Sequence, residues 1–123
     1  MGRREVRAVT VALREVTSEA VKKIVLDVTS NLIETTPVDT GWARNNWVPS
    51  IKEPIERAVG TREEPVSGQQ QVGIAEVATT YKLEDGPVYI SNNVPYIGNL
   101  NDGSSKQAPT DFVFIAILRA LRQ

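Results

Sequence analysis

A chain of 123 residues has room for one domain with a modest core and too little for two ordinary ones. Hydrophobic residues at 41%, charged residues at 24% and a net charge of −1 describe a folded domain without a dense basic surface. Cysteine and histidine are both absent, which excludes disulfides, thiolate metal sites, the usual zinc sites, Ser-His-Asp or Cys-His nucleophiles and an imidazole base.

The charge is mildly uneven. Residues 1–52 carry eight basic and six acidic side chains, whereas residues 53–85 carry three basic and seven acidic. Neither block drives phosphate binding by counterion release, so specific nucleic-acid recognition is not expected. Arg3, Arg4 and Arg7 form a small basic group suited at most to an acidic surface. No apolar run is long enough to span a bilayer, and the opening Met1-Gly2-Arg3-Arg4-Glu5 lacks a signal-peptide core. The chain is expected to be made and used without crossing a membrane.

From Arg4 to Glu34 the apolar residues Val6, Val9, Leu13, Val16, Ala20, Ile24, Val28 and Leu32 recur at intervals of three or four. That spacing predicts one long amphipathic helix, supported by a Glu19–Lys23 pair at i, i+4. Its valines and threonines lower intrinsic propensity, but sustained periodicity outweighs that. Some 30 residues would give a rod of roughly 45 Å, longer than the roughly 26–30 Å expected for the domain. Part of the apolar stripe is therefore expected to find cover outside its own domain.

Pro37 ends the helix, since it disfavours helical geometry in the residue before it. Thr36-Pro37-Val38-Asp39-Thr40-Gly41-Trp42 then spells the Asp-Thr-Gly of aspartic-protease catalytic loops. Such an enzyme needs two carboxylates about 3 Å apart, which one triplet supplies only in a homodimer. It also needs the triplet in a loop between strands, with a small residue after the glycine. Here a helical pattern precedes it and Trp42 follows it. The better account is turn chemistry, with Asp39 or Thr40 capping a short turn over Trp42–Trp47 and Gly41 supplying a positive φ.

Val48-Pro49-Ser50-Ile51 reads as a short edge strand, and residues 52–68 as a polar, mobile, acidic loop. Gln69 to Thr79 is expected to form a second helix, followed by a turn over Glu84–Pro87 and a strand over Val88–Ser91. Asn92-Asn93 closes that strand, and residues 101–105 are expected to loop. A last helix, capped by Thr110 or Asp111, contains Phe112–Leu118 and is apolar on every side, so a neighbour or its own domain should enclose it. No more than three or four strands are recognisable. Adjacent carboxylates such as Glu63-Glu64 and Glu84-Asp85 read as solvated loop charge rather than a glycosidase pair. The expected fold is α+β, a long N-terminal helix and a C-terminal helix packed on a small, mainly antiparallel sheet in one domain over residues 1–123. No catalytic residue, cofactor or metal is expected.

Two stretches taken together carry a resemblance. They are Thr36-Pro37-Val38-Asp39-Thr40-Gly41 with Arg44-Asn45-Asn46-Trp47, and Val88-Tyr89-Ile90-Ser91-Asn92-Asn93-Val94-Pro95-Tyr96 running on to Gly103-Ser104-Ser105-Lys106-Gln107-Ala108-Pro109. In order and spacing this resembles the tail-completion, or head–tail joining (minor tail protein Z-like), family of long-tailed bacteriophages. The match covers both ends of the chain and leaves the middle unaccounted for, and Thr110-Asp111-Phe112 departs from the small residue expected there. The resemblance implies a non-enzymatic virion protein of the tail or neck, assembled in the host cytoplasm as a homo-oligomeric ring, hexameric by preference. Its partners would be other tail and neck proteins, with the acidic loop facing a DNA-bearing channel. Asp39, Thr40, Gly41, Gly103 and Pro109 are the expected structural corners. Trp42, Trp47, Asn92, Asn93, Tyr96, Phe112 and Phe114 are the expected interface. A small helical adaptor protein is the remaining alternative.

Overall fold

The structure, a computed structural model, describes residues 3–37, 41–103 and 110–122, with side chains from Arg14 onward. Among the described residues the order is α1 (Arg3–Thr35), α2 (Trp42–Asn45), β1 (Val48–Ile51), α3 (Gly68–Thr80), a single 3-10 turn (Leu83–Asp85), β2 (Val88–Ser91), α4 (Ile97–Asn101) and α5 (Phe112–Leu121). The fold is α+β: long N-terminal and C-terminal helices with a two-stranded antiparallel sheet. Among the described residues the strands number two, fewer than the three or four that patterning allows.

The long helix forms as its periodicity predicts, but its apolar residues do not make one face. Intervals of three and four in alternation hold a face, whereas an unbroken run of fours advances by about 40° at each step. Val16, Ala20, Ile24, Val28 and Leu32 are such a run. Val28 and Leu32 lie in the core, and Val16, Ala20 and Ile24 are exposed. The row that the domain buries is instead Ser18, Val25, Val28, Thr29, Leu32 and Thr36. The hydroxyls of Thr29, Thr35 and Thr36 donate to carbonyls four residues back, which lets them sit in this helix without unmet polar groups.

β1 and β2 pair antiparallel with Val48 opposite Ser91 and Ile51 opposite Val88. Pro49 faces Ile90 in this register, and α3 rather than a third strand lies along β1, so the proline's missing donor is not required. α3 approaches closely because residue 73 is glycine. A Cβ there would collide with the Pro49 carbonyl oxygen. The 3-10 turn closes with Gly86 at φ +89° and the Tyr81 hydroxyl donating to the Gly86 carbonyl, 3.1 Å away.

Two apolar clusters flank α1. Val28, Leu32, Trp47, Phe112, Ala116 and Ala120 form the larger, and Val25, Val77 and Tyr81 the smaller, with Ile90 of β2 packed against both. α5 packs chiefly along α1, and Asn31 Nδ2 donates to the Ala116 carbonyl at 3.1 Å. The C-terminal helix is not enclosed on all sides. Phe112, Ala116 and Ala120 are buried, while Phe114, Ile117 and Leu121 face outward. Asp111 holds the expected N-cap position, but in a left-handed conformation and without a side-chain cap bond. Asn101 Oδ1 accepts from Val113 N–H instead, at 3.1 Å, so an unexpected short helix, α4, supplies the cap of α5.

Gly73→Ala is expected to lower stability by about 1–3 kcal/mol through overpacking against Pro49. Phe112→Ala should lower it by about 3–5 kcal/mol through cavity formation. Urea unfolding of the two variants against the parent chain measures both.

Candidate assembly surfaces

The residues of the corner are placed by polar bonds that tie four segments together. Thr36, at the end of α1, donates to the Leu32 carbonyl and accepts from Trp47 Nε1 at 2.7 Å. Arg44 Nη2 donates to the Glu34 carbonyl at 3.2 Å, meeting the negative end of α1. Asn46, 2% exposed, works as a two-sided clamp. Its Nδ2 donates to the carbonyls of Trp42 (2.8 Å) and Val59 (3.1 Å), and its Oδ1 accepts from Val59 N–H at 2.8 Å. Trp42 Nε1 also donates to the Val59 carbonyl, at 3.1 Å. Buried Gln70 of α3 donates to the carbonyls of Arg44 and Trp47 at 2.9 and 3.1 Å.

The second stretch meets the first here. Asn92 Nδ2 donates to the Ala43 carbonyl at 2.8 Å, Asn93 Nδ2 donates to the Ile55 carbonyl at 2.7 Å, and Tyr96 meets Trp42 edge-on at 5.9 Å. The irregular segment over residues 52–67 is bonded to the corner at Ile55 and Val59.

The expected corner residues divide. Gly41 takes φ +77° as the N-cap of α2, with no side-chain cap bond there, so it fills the place expected of Asp39 or Thr40. Gly103 takes φ +94°, and a Cβ there would collide with the Thr110 hydroxyl. Asp39, Thr40 and Pro109 lie outside the described residues.

The expected interface residues divide as well. Trp47 and Phe112, 5% and 0% exposed, pack edge to face at 6.5 Å inside the core, so they are spent within the chain. Asn92 and Asn93 are staples, and Trp42 and Tyr96 are half-buried against each other. Phe114 alone of the seven is a large apolar side chain left mostly exposed. Val16 and Ile24 belong to the apolar stripe read from the periodicity of α1, which did not tell its exposed part from its buried part, and Ile117 and Leu121 were not among the expected interface residues. The signal that could have found them is the unbroken i, i+4 run on α1 and the i, i+3, i+7 spacing on α5.

A polar cleft of about 530 Å³ lies where Arg14, Glu15, Ser18, Glu19 and Lys22 of α1 face Thr79–Lys82 and Glu84. Two ion pairs lie in it, Lys22 with Glu19 at 3.1 Å and Arg14 with Glu84 at 3.7 Å. Ser18 Oγ accepts from Leu83 N–H at 2.8 Å. The cleft thus joins α1 to the 3-10 turn. Among the described residues no group of three His, Cys, Asp or Glu could hold a metal, and no helix is long and apolar enough to cross a membrane. No protein-family model, curated protein or solved structure matches the chain.

Asn46→Ala removes both halves of the Val59 clamp. A loss of about 1–3 kcal/mol is expected, with faster hydrogen exchange at the Val59 amide and new proteolytic cleavage between residues 52 and 67. Mass-spectrometric exchange and limited proteolysis read these directly.

Proposed function

We propose that this chain is a non-enzymatic structural subunit of a phage particle, one that assembles with copies of itself into a ring completing the tail end and joining tail to head. The observation that carries the reading is the pair of unlike apolar rows left without cover, Val16–Ala20–Ile24 on α1 and Phe114–Ile117–Leu121 on α5. Unlike surfaces on one chain make a heterologous contact, which closes as a ring when the rotation allows. Sixfold closure follows the family resemblance. So does the place of work, the tail or neck of a virion among other tail and neck proteins.

The meeting of the two stretches that carry the resemblance supports it further. Asn92 on the Ala43 carbonyl and Tyr96 against Trp42 join the two, while Asn46 and Asn93 both bond the segment between β1 and α3. The surroundings of the Asp-Thr-Gly triplet favour architecture over proteolysis. α1 runs to Thr35 before it, α2 begins at Trp42 after it, and β1 starts only at Val48. Glu53, Glu56, Glu63 and Glu64 are exposed on the anchored loop, a disposition that would keep a passing duplex from adhering if the loop lines the channel.

Light scattering and negative-stain microscopy of the purified chain are expected to show closed rings. Asp39→Asn should leave both ring formation and thermal stability intact. A stable dimer with pepstatin-sensitive cleavage that Asp39→Asn abolishes would overturn the proposal.

A further inference from the structure

The two-stranded sheet has one side that the chain leaves open. Lys52 N–H donates to the Pro87 carbonyl at 2.9 Å, which continues the β1–β2 ladder by one residue. Along an antiparallel pair, hydrogen-bonded and non-hydrogen-bonded positions alternate. Ser50–Tyr89 and Val48–Ser91 are therefore the bonded pairs, and Val88 and Ile90 turn their N–H and C=O groups away from β1. Among the described residues nothing bonds these groups on that side, and no helix lies along it. The far side of β1 is closed by contrast, since α3 runs along it and Pro49 has no N–H to offer.

Donors and acceptors repeated at every second residue are met by an extended strand. β2 also lacks the devices that blunt such an edge. Val88-Tyr89-Ile90-Ser91 includes no charge and no proline, and its register with β1 has no bulge. The strand is, moreover, complementary to itself. Turned about a twofold axis at Tyr89, a second β2 sets Val88 opposite Ile90 and Ile90 opposite Val88, so that every outward group of both copies finds a partner. Val88 and Ile90 share the face packed on the two core clusters, and Tyr89, 39% exposed, lies on the other. The cross-strand pairs are then aliphatic with aliphatic and tyrosine with tyrosine, both favourable. Residues 86–92 carry no charge, so the twofold sets no like charges together. With the β1 side closed, β2 on β2 is the one way in which the described strands of two copies extend into a single sheet.

We infer that β2 pairs antiparallel with β2 of a second copy of this chain across a twofold axis at Tyr89, joining the two small sheets into one. The contact uses neither of the apolar rows on α1 and α5, so it goes beyond the ring reading and does not rest on it. Only a few residues on each side take part, far fewer than in an interface of standard size, so the measurements belong at high chain concentration.

The absence of cysteine makes the test clean. At a non-hydrogen-bonded antiparallel pair the two Cα atoms lie about 4.5 Å apart, within reach of a disulfide. Tyr89→Cys in the full chain, under mild oxidation, is expected to give an 89–89 disulfide dimer, identified by peptide mass spectrometry. Val72→Cys, 60% exposed on α3, is the control and should stay largely monomeric. No 89–89 dimer at millimolar chain concentration, or as much dimer from the control, overturns the inference. As a second measurement, Tyr89→Lys and Tyr89→Glu should each leave the melting temperature unchanged and weaken dimerisation by more than about tenfold in sedimentation analysis. An equal mixture of the two should restore it, because the twofold then sets lysine opposite glutamate. Dimerisation that neither variant weakens, or that the mixture does not restore, also overturns it. Rings whose subunits give no 89–89 disulfide would remove this contact and leave the ring reading standing. An 89–89 dimer that never builds rings would do the reverse.

Discussion

One indole nitrogen holds the two halves of this molecule in register. Trp47 sits just before β1, and its Nε1 donates at 2.7 Å to Thr36, whose hydroxyl is in turn committed to the Leu32 carbonyl at the end of α1. The same indole presents its ring to Phe112 at the start of α5. The last turn of the long helix, the first strand and the C-terminal helix are thereby fixed at one buried point. A buried indole N–H without a partner would cost about 1–3 kcal/mol, so the tryptophan and the threonine stabilise the fold only as a pair. α5 follows from that point, running back along α1 over Leu32 and Val28 with Asn31 bonded to Ala116.

The division of labour on α1 follows from helical arithmetic rather than from composition. A run of residues four apart drifts round the axis, and the domain has only enough mass to cover the part of that drift under α5 and β2. Residues that look equivalent in the sequence therefore separate into core at Val28 and Leu32 and surface at Val16, Ala20 and Ile24. α5 divides in the same manner, with three residues turned inward and three outward. Apolar area arranged in rows on unlike sides of a small domain is the physical basis for reading the chain as a subunit.

The polar residues that attract a chemical reading are spent on architecture. Asn46, Asn92, Asn93 and Gln70 each bond backbone groups in another part of the chain, and Arg44 caps the carbonyl end of α1. Each satisfies a group that the irregular segment between β1 and α3, or the end of a helix, would otherwise leave unmet. That segment holds together through side-chain clamps because it has no ladder of its own. The clustering of amides around it therefore has a structural cause that does not invoke a ligand.

By itself the sequence determined the elements with a strong local period or a hard stop. The helix over most of residues 3–35 and its end before Pro37, the strands at Val48–Ile51 and Val88–Ser91, and the helix near Gln69–Thr79 are all legible from spacing, proline and β-propensity. The short helix α4, the cap that Asn101 lends to α5, and the close approach allowed by Gly73 were not, since each depends on a partner distant in the chain. Neither was the fate of the aromatic residues. Trp47 and Phe112 look as suited to an interface as Phe114 does, and only packing sent two inward and left one on the surface. Local periodicity determines which residues share a helix. Which side of that helix meets the core depends on where α5 and the sheet come to rest, and that is decided only when the whole chain is folded.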